Sequence, residues 1–107
     1  LTLDRFNEIV DSQMNQCVKV LAEKGKEYVF SNDRLDHFKN SAAEQDINPK
    51  QALWGMTSKH LTSLGGMCKA ENGNYAPEVW SEKITDTMNY LLLLLAIVTE
   101  EVDNEKH

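Results

Sequence analysis

The sequence has no hydrophobic run long enough to cross a bilayer. Its longest apolar stretch, residues 91–98, is eight residues, and a spanning helix needs about 20. It is also short of basic residues, with 11 Lys and Arg against 17 Asp and Glu and a formal net charge of −6. That deficit argues against a protein that grips nucleic-acid phosphates, which needs a basic face. It suits a chain that gathers divalent cations before it meets an anionic ligand. Cysteine is scarce too. Cys17 and Cys68 lie far apart without CxxC spacing, which excludes a disulfide scaffold and a cysteine-based zinc site. Both fall on apolar helical stripes and are expected to be small buried hydrophobes. No segment alternates with period two, so no sheet is expected. The glycine pattern of a phosphate-cradling loop is missing, which excludes a Walker-type kinase. No secretory leader stands ahead of the first helical segment, so the expected setting is cytoplasmic, with no membrane attachment.

What is present is helical periodicity. At 107 residues the chain fits one domain with one core, 1–107, and four helical segments follow from period and punctuation. The first spans about residues 3–28, with Thr2 as cap and Phe6, Val10, Met14, Cys17 and Leu21 on one stripe. Residues 29–34 read as a loop, and a short helix over 35–45 turns Leu35, Phe38 and Ala42 inward. The third helix starts at the cap Asn48, with Pro49 in its first position and Gln51 completing a capping box. Its inner face carries Leu53, Met56, His60, Leu64 and Met67. Trp54 and Trp80 are expected in the core. A polar loop over 71–76 turns at Asn72-Gly73. The last helix runs from Pro77 to about Val102, with Trp80, Ile84, Met88, Leu91, Leu95 and Val98 as its main apolar stripe. Leu92, Leu93, Leu94 and Ala96 cover its other faces, as on a fully buried helix. Residues 100–107 form a charged tail expected to fray. The fold expected is all-α and four-helix bundle-like. So apolar a last helix in so short a chain points to a homo-oligomer.

The candidate chemistry lies on the last helix. Glu82, Asp86 and Asn89 share one stripe of the helical wheel, and Leu93 continues it, so a polar line runs into an apolar one. Carboxylates on a helix buried on both faces need a partner or a metal. Glu23 and Glu27, near the end of the first helix, are a possible complement if the two helices run antiparallel. Such oxygen donors suit magnesium, which often takes one or two carboxylates and completes its shell from phosphates. Lys24 falls on the apolar stripe of the first helix, where its ammonium either snorkels to water or reaches a phosphate. Lys59 is a candidate phosphate contact. His60 is read as a core histidine. Tyr28, His37 and Phe38 flank the first loop, where a ring either packs or stacks on a base.

The run from Lys24 to Tyr28, then His37-Phe38, the cap segment 47–52, Lys59-His60, and the run from Glu82 through Asp86 and Asn89 to Tyr90 resemble, in order and spacing, the nucleotide modification associated domain type 1 family. That family occurs widely in phages and prophages and is related to the MazG-like all-α nucleotide pyrophosphohydrolases. The resemblance covers about residues 23–98. It implies a MazG-like, oligomeric protein with a magnesium-dependent nucleotide site. By motif position, Glu27, Glu82 and Asp86 would be the catalytic, metal-side carboxylates. Lys24, Tyr28, Lys59, Asn89 and Tyr90 would contact the ligand. The sequence departs from the MazG-like pattern in two places. The early Glu-Glu-x-x-Glu motif is absent, and Lys83 stands where an acid usually precedes the aspartate by three. Glu27 also replaces the Asp of the type 1 motif. Hydrolysis, phosphoryl transfer, and binding of a nucleotide or a protein without turnover all remain open readings.

Overall fold

The computed structural model describes residues 1–28, 32–70 and 75–106. It is all-helical, with α1 over Leu3–Tyr28, α2 over Asp36–Gln45, α3 over Pro49–Lys69 and α4 over Pro77–Glu105. The segments 29–31 and 71–74, including the expected Asn72-Gly73 turn, lie outside the described residues.

Local chemistry explains most boundaries. The Thr2 hydroxyl accepts from the Arg5 backbone N–H at 3.1 Å, satisfying one of the donors that a helix start leaves open. At α3 the box closes both ways: Asn48 Oδ1 accepts from the Gln51 N–H at 2.9 Å, and Gln51 Oε1 from the Asn48 N–H at 3.1 Å. Helix α2 ends on Asp46 in the left-handed region at φ 55°, a conformation that short polar side chains tolerate. The Ile47 N–H then reaches back to the Ala42 carbonyl at 3.0 Å, so the chain turns within two residues into the α3 cap. Asp33 begins α2 from outside, its Oδ1 accepting from the Leu35 N–H at 3.0 Å.

Helix α4 is the spine: α3 and α1 pack on it, and α2 packs on α3. The core joins Leu35, Phe38, Leu53 and Ile97, with Met56, Tyr90, Leu93 and Leu94 against them. Helices α3 and α4 are antiparallel, since Lys50 pairs with Glu101 at one end and the His60 ring meets Tyr90 further along. At the α1–α4 seam side-chain hydrogen bonds join the two helices. Gln13 Nε2 donates to Thr85 Oγ1 at 2.8 Å, and Asn89 Nδ2 to the Cys17 carbonyl at 3.2 Å.

Three expectations are corrected. The stripe of α4 expected to be its main buried face points outward, with Leu91, Leu95 and Val98 exposed. The face holding Thr85, Asn89 and Ile97 is buried instead. A stripe containing Asn and Thr wins because each finds a hydrogen-bond partner across the α1 seam, which removes much of the cost of burying it. Cys17 is buried as expected, but Cys68 is exposed, and Trp54 is half-exposed. Helix α4 continues to Glu105, held by Lys39 Nζ on Glu100 at 2.6 Å and Lys50 Nζ on Glu101 at 3.0 Å.

The shape is long for its size. Its extents are 49 × 29 × 25 Å and its radius of gyration 16.3 Å, against about 13 Å for a compact chain of this length. The first twelve residues are all exposed, including Phe6, Ile9 and Val10. The α1 stripe is thus covered only in its second half, from Cys17 onward.

Candidate functional site

The second half of α1 and the first half of α4 bound a polar groove. Its walls carry Glu23, Lys24 and Glu27 from α1 and Glu78, Glu82 and Asp86 from α4, with Thr85 at the base. Residues 82, 86 and 89 share a face because they are three and four apart on a helix. The α1 acids line the same groove, with the Gln13–Thr85 bond, the 3.4 Å contact from Ser81 Oγ to Gln13 Oε1 and the Asn89–Cys17 bond joining the two helices.

Beside this groove lies a second cavity of about 310 Å³, more apolar in its walls and bounded by α1, α2 and α4. Leu21, Phe38 and Leu93 supply apolar surface. His37 and Tyr90 supply rings, and Lys24, Arg34, Asp86 and Asn89 supply polar groups. The two spaces share Lys24 and Asp86. Lys24 Nζ sits 3.3 Å from Asp86 Oδ1, and the two side chains are 46% and 20% exposed. A half-exposed ion pair of this kind contributes little to stability, so either member can be drawn to another charge at small cost.

The sequence-predicted residues are distributed as follows. Glu27, Glu82 and Asp86 line the same groove. Among the described residues, however, no group of three or more His, Cys, Asp or Glu side chains stands close enough together to hold a metal ion. As donors they fit a hard cation, since all three offer carboxylate oxygens. Lys24, Asn89 and Tyr90 line the apolar cavity. Tyr90 is half-buried with its ring centroid 5.0 Å from that of His60, which is itself half-buried and outside the core cluster. Lys59 is exposed on α3 and lines neither space. Tyr28 ends α1, and its side chain lies outside the described residues.

Sequence reasoning missed Arg34. A Cβ built on Gly25 would lie 3.1 Å from Arg34 Nε and 3.5 Å from its Cδ, so the Arg34 side chain rests directly on the backbone of α1. A glycine inside a helix costs about 1 kcal/mol relative to alanine and often marks a close approach. Gly25 was the signal that could have found this contact. The loop that presents Arg34 is fixed by its neighbour. The Lys39 ammonium bonds both Asp33 and Glu100, tying the loop to α2 and to the far part of α4. The Lys39 hydrogen bond, and then the Leu35 N–H, hold the Asp33 carboxyl below the usual carboxylate range. The bonds to Asp33 and Glu100 in turn push the Lys39 ammonium above the usual lysine value.

No family model, curated protein or solved structure matches this chain.

Proposed function

We propose that this chain is a nucleotide-handling protein that binds a (deoxy)nucleoside phosphate together with magnesium. The observation that carries the reading is the junction of two unlike spaces. A carboxylate-lined groove and an apolar, ring-lined cavity adjoin at one Lys–Asp pair. A nucleotide has the same division, with charged phosphates that travel with a cation and a flat, largely apolar base.

In this reading Glu27, Glu82 and Asp86 hold the metal, with Glu23 and Glu78 adding negative field. The metal would neutralise phosphate charge and polarise a phosphorus–oxygen bond. Lys24 is the chain's own cation at the junction. Its ammonium pairs with Asp86. Released from it, its ammonium contacts a phosphate oxygen. The resemblance to the type 1 nucleotide modification associated family supports the same assignment through Lys24, Glu27, Glu82 and Asp86.

A second reading has an observation of its own. The acids line the groove without converging, and Lys83 replaces an acid of the pyrophosphohydrolase pattern. Both favour binding without turnover, by a small module that sequesters a nucleotide. The outward apolar faces of α1 and α4, with Phe6, Val10, Leu91 and Leu95 exposed, support association between copies of this chain.

The test is a set of common nucleoside mono-, di- and triphosphates with and without magnesium, reading melting shift and phosphate release. Stabilisation that needs both nucleotide and magnesium supports the site. Phosphate or pyrophosphate release then makes it an enzyme, and stabilisation without release makes it a binder. No stabilisation by any pair rejects the proposal.

A further inference from the structure

We infer that the cavity between α1, α2 and α4 binds a neutral planar heterocycle carrying an N–H donor on its ring edge, and that Asn89 Oδ1 is the acceptor that reads this edge. The inference deepens the nucleotide reading and rests on it for the ligand class, a nucleobase.

The argument starts from Asn89, which is only 6% exposed. Its Nδ2 donates to the Cys17 carbonyl at 3.2 Å. A carbonyl only accepts, so the amide orientation is fixed and Oδ1 is the atom left over. Oδ1 is buried and has no hydrogen-bond partner among the described residues. A buried acceptor left unmade is costly, and native proteins rarely keep one without a reason. Asn89 lines the cavity, so a small shift of its amide, whose Oδ1 is fully buried as the cavity stands, would let a group entering there supply the donor.

The other walls narrow what that group is. Asp86 disfavours an anionic head, and Lys24 with Arg34 disfavours a cationic one. Leu21 and Leu93 offer apolar surface suited to the faces of a flat ring. At about 310 Å³ the cavity sits at the low end of small-molecule sites, about 300–1,000 Å³, which suits one ring system and its sugar. Arg34 is a planar wall that can stack on such a ring, and Gly25 places it. Any side chain at position 25 would force Arg34 off α1 by a few tenths of an ångström, given the 3.1 Å approach to Nε. Gly25 is therefore a positioning residue for this cavity.

The experiment uses the full chain without metal. Calorimetry measures deoxycytidine, thymidine, deoxyadenosine and deoxyguanosine against 2-pyrimidinone deoxyriboside and purine deoxyriboside. These last two keep ring and sugar but carry no N–H on the ring edge. At least one donor-bearing nucleoside should bind about tenfold or more tighter than its donor-free counterpart, the penalty for leaving a buried polar group unpaired. Asn89→Leu should bring that ratio to about one. Asn89 also ties α1 to α4, so Leu93→Trp provides a check that leaves this tie intact. It fills the cavity and should abolish nucleoside binding. Gly25→Ala should weaken all nucleosides together and leave the ratio unchanged, as a positioning role requires. Equal binding of donor-bearing and donor-free nucleosides overturns the inference. So does the absence of any nucleoside binding, since Oδ1 would then be served by water alone. Magnesium with inorganic pyrophosphate, run on the same protein, separates the two claims. A melting shift with pyrophosphate but no nucleoside binding keeps the groove and removes the cavity site. The converse removes the metal–phosphate reading and keeps the cavity.

Discussion

Replacing Asp86 by Asn removes one charge from the groove and almost no volume. Its effect on the metal-free protein can be worked from the Lys24–Asp86 pair. At 3.3 Å, two unit charges in a water-like dielectric attract by about 1 kcal/mol. With side chains 46% and 20% exposed, screening and lost side-chain freedom reduce the net value to about 0–1 kcal/mol. The groove also holds Glu23, Glu27, Glu78 and Glu82, so removing a fifth carboxylate relieves repulsion and offsets part of that loss. The apo variant should therefore match the parent within about 1 kcal/mol, a shift in Tm below about 8 °C. A lysine buried and left uncompensated would instead cost about 3–5 kcal/mol. The assay is thermal or urea unfolding in chelator, repeated with magnesium and nucleotide. The apo curves should nearly coincide, and the stabilisation by magnesium plus nucleotide should be lost in the variant. An apo loss of about 3 kcal/mol or more would refute the reasoning, because the pair would then be a structural tie. A parent protein that magnesium and nucleotide fail to stabilise would refute it from the other side.

Lys24→Gln should tighten binding of magnesium alone, by freeing Asp86, and weaken binding of pyrophosphate with magnesium; calorimetry of the two titrations checks the opposite signs. Leu53→Ala, at a fully buried core position, should cost about 2–5 kcal/mol in urea unfolding. The Asp33–Lys39–Glu100 tie gives a pH signature with two limbs. The lowered Asp33 carboxyl contributes stability that is present above about pH 4, the ordinary carboxylate value, and lost as pH falls through its own lower one. The raised Lys39 ammonium contributes stability that is present below about pH 10.4 and lost as pH rises through its own higher value. Lys39→Met should flatten both limbs, so that parent and variant stabilities converge at the acid and alkaline ends. Light scattering at micromolar concentration should give a mass at least twice 12.2 kDa, and a clean monomer would contradict association through the outward faces of α1 and α4.

The helices were legible because their signals are local. A Pro at the first position, a Ser/Thr/Asn-type cap and a reciprocal Asn48–Gln51 box act within four residues, and α3 begins where they place it. Which face of each helix is buried was less legible, because burial is decided between helices. Hydrophobicity alone favours the Ile84–Leu91–Leu95–Val98 stripe of α4 as the inner one. The structure turns inward the stripe of Thr85, Asn89 and Ile97, because Gln13 and the Cys17 carbonyl on α1 supply hydrogen bonds that no pattern on α4 announces. The outward stripe is left in solvent within one chain, which is the same observation that supports association.

The site divides along the same line. Glu82, Asp86 and Asn89 share a face for reasons internal to one helix, so their grouping could be read from spacing. Their different roles could not. Asp86 meets Lys24 at the junction of two spaces, and Asn89 spends its amide N–H on a carbonyl 72 residues away in sequence. That bond leaves an acceptor with no donor among the described residues. In the proposed reading, the same contact that fixes α1 against α4 would also fix what the adjoining cavity asks of a ligand. A residue conserving only size at position 89, such as Asp, would lose the N–H, loosen the seam and add a negative charge to the cavity. In this fold, then, the seam and the site rest on one side chain, and a change there alters both together.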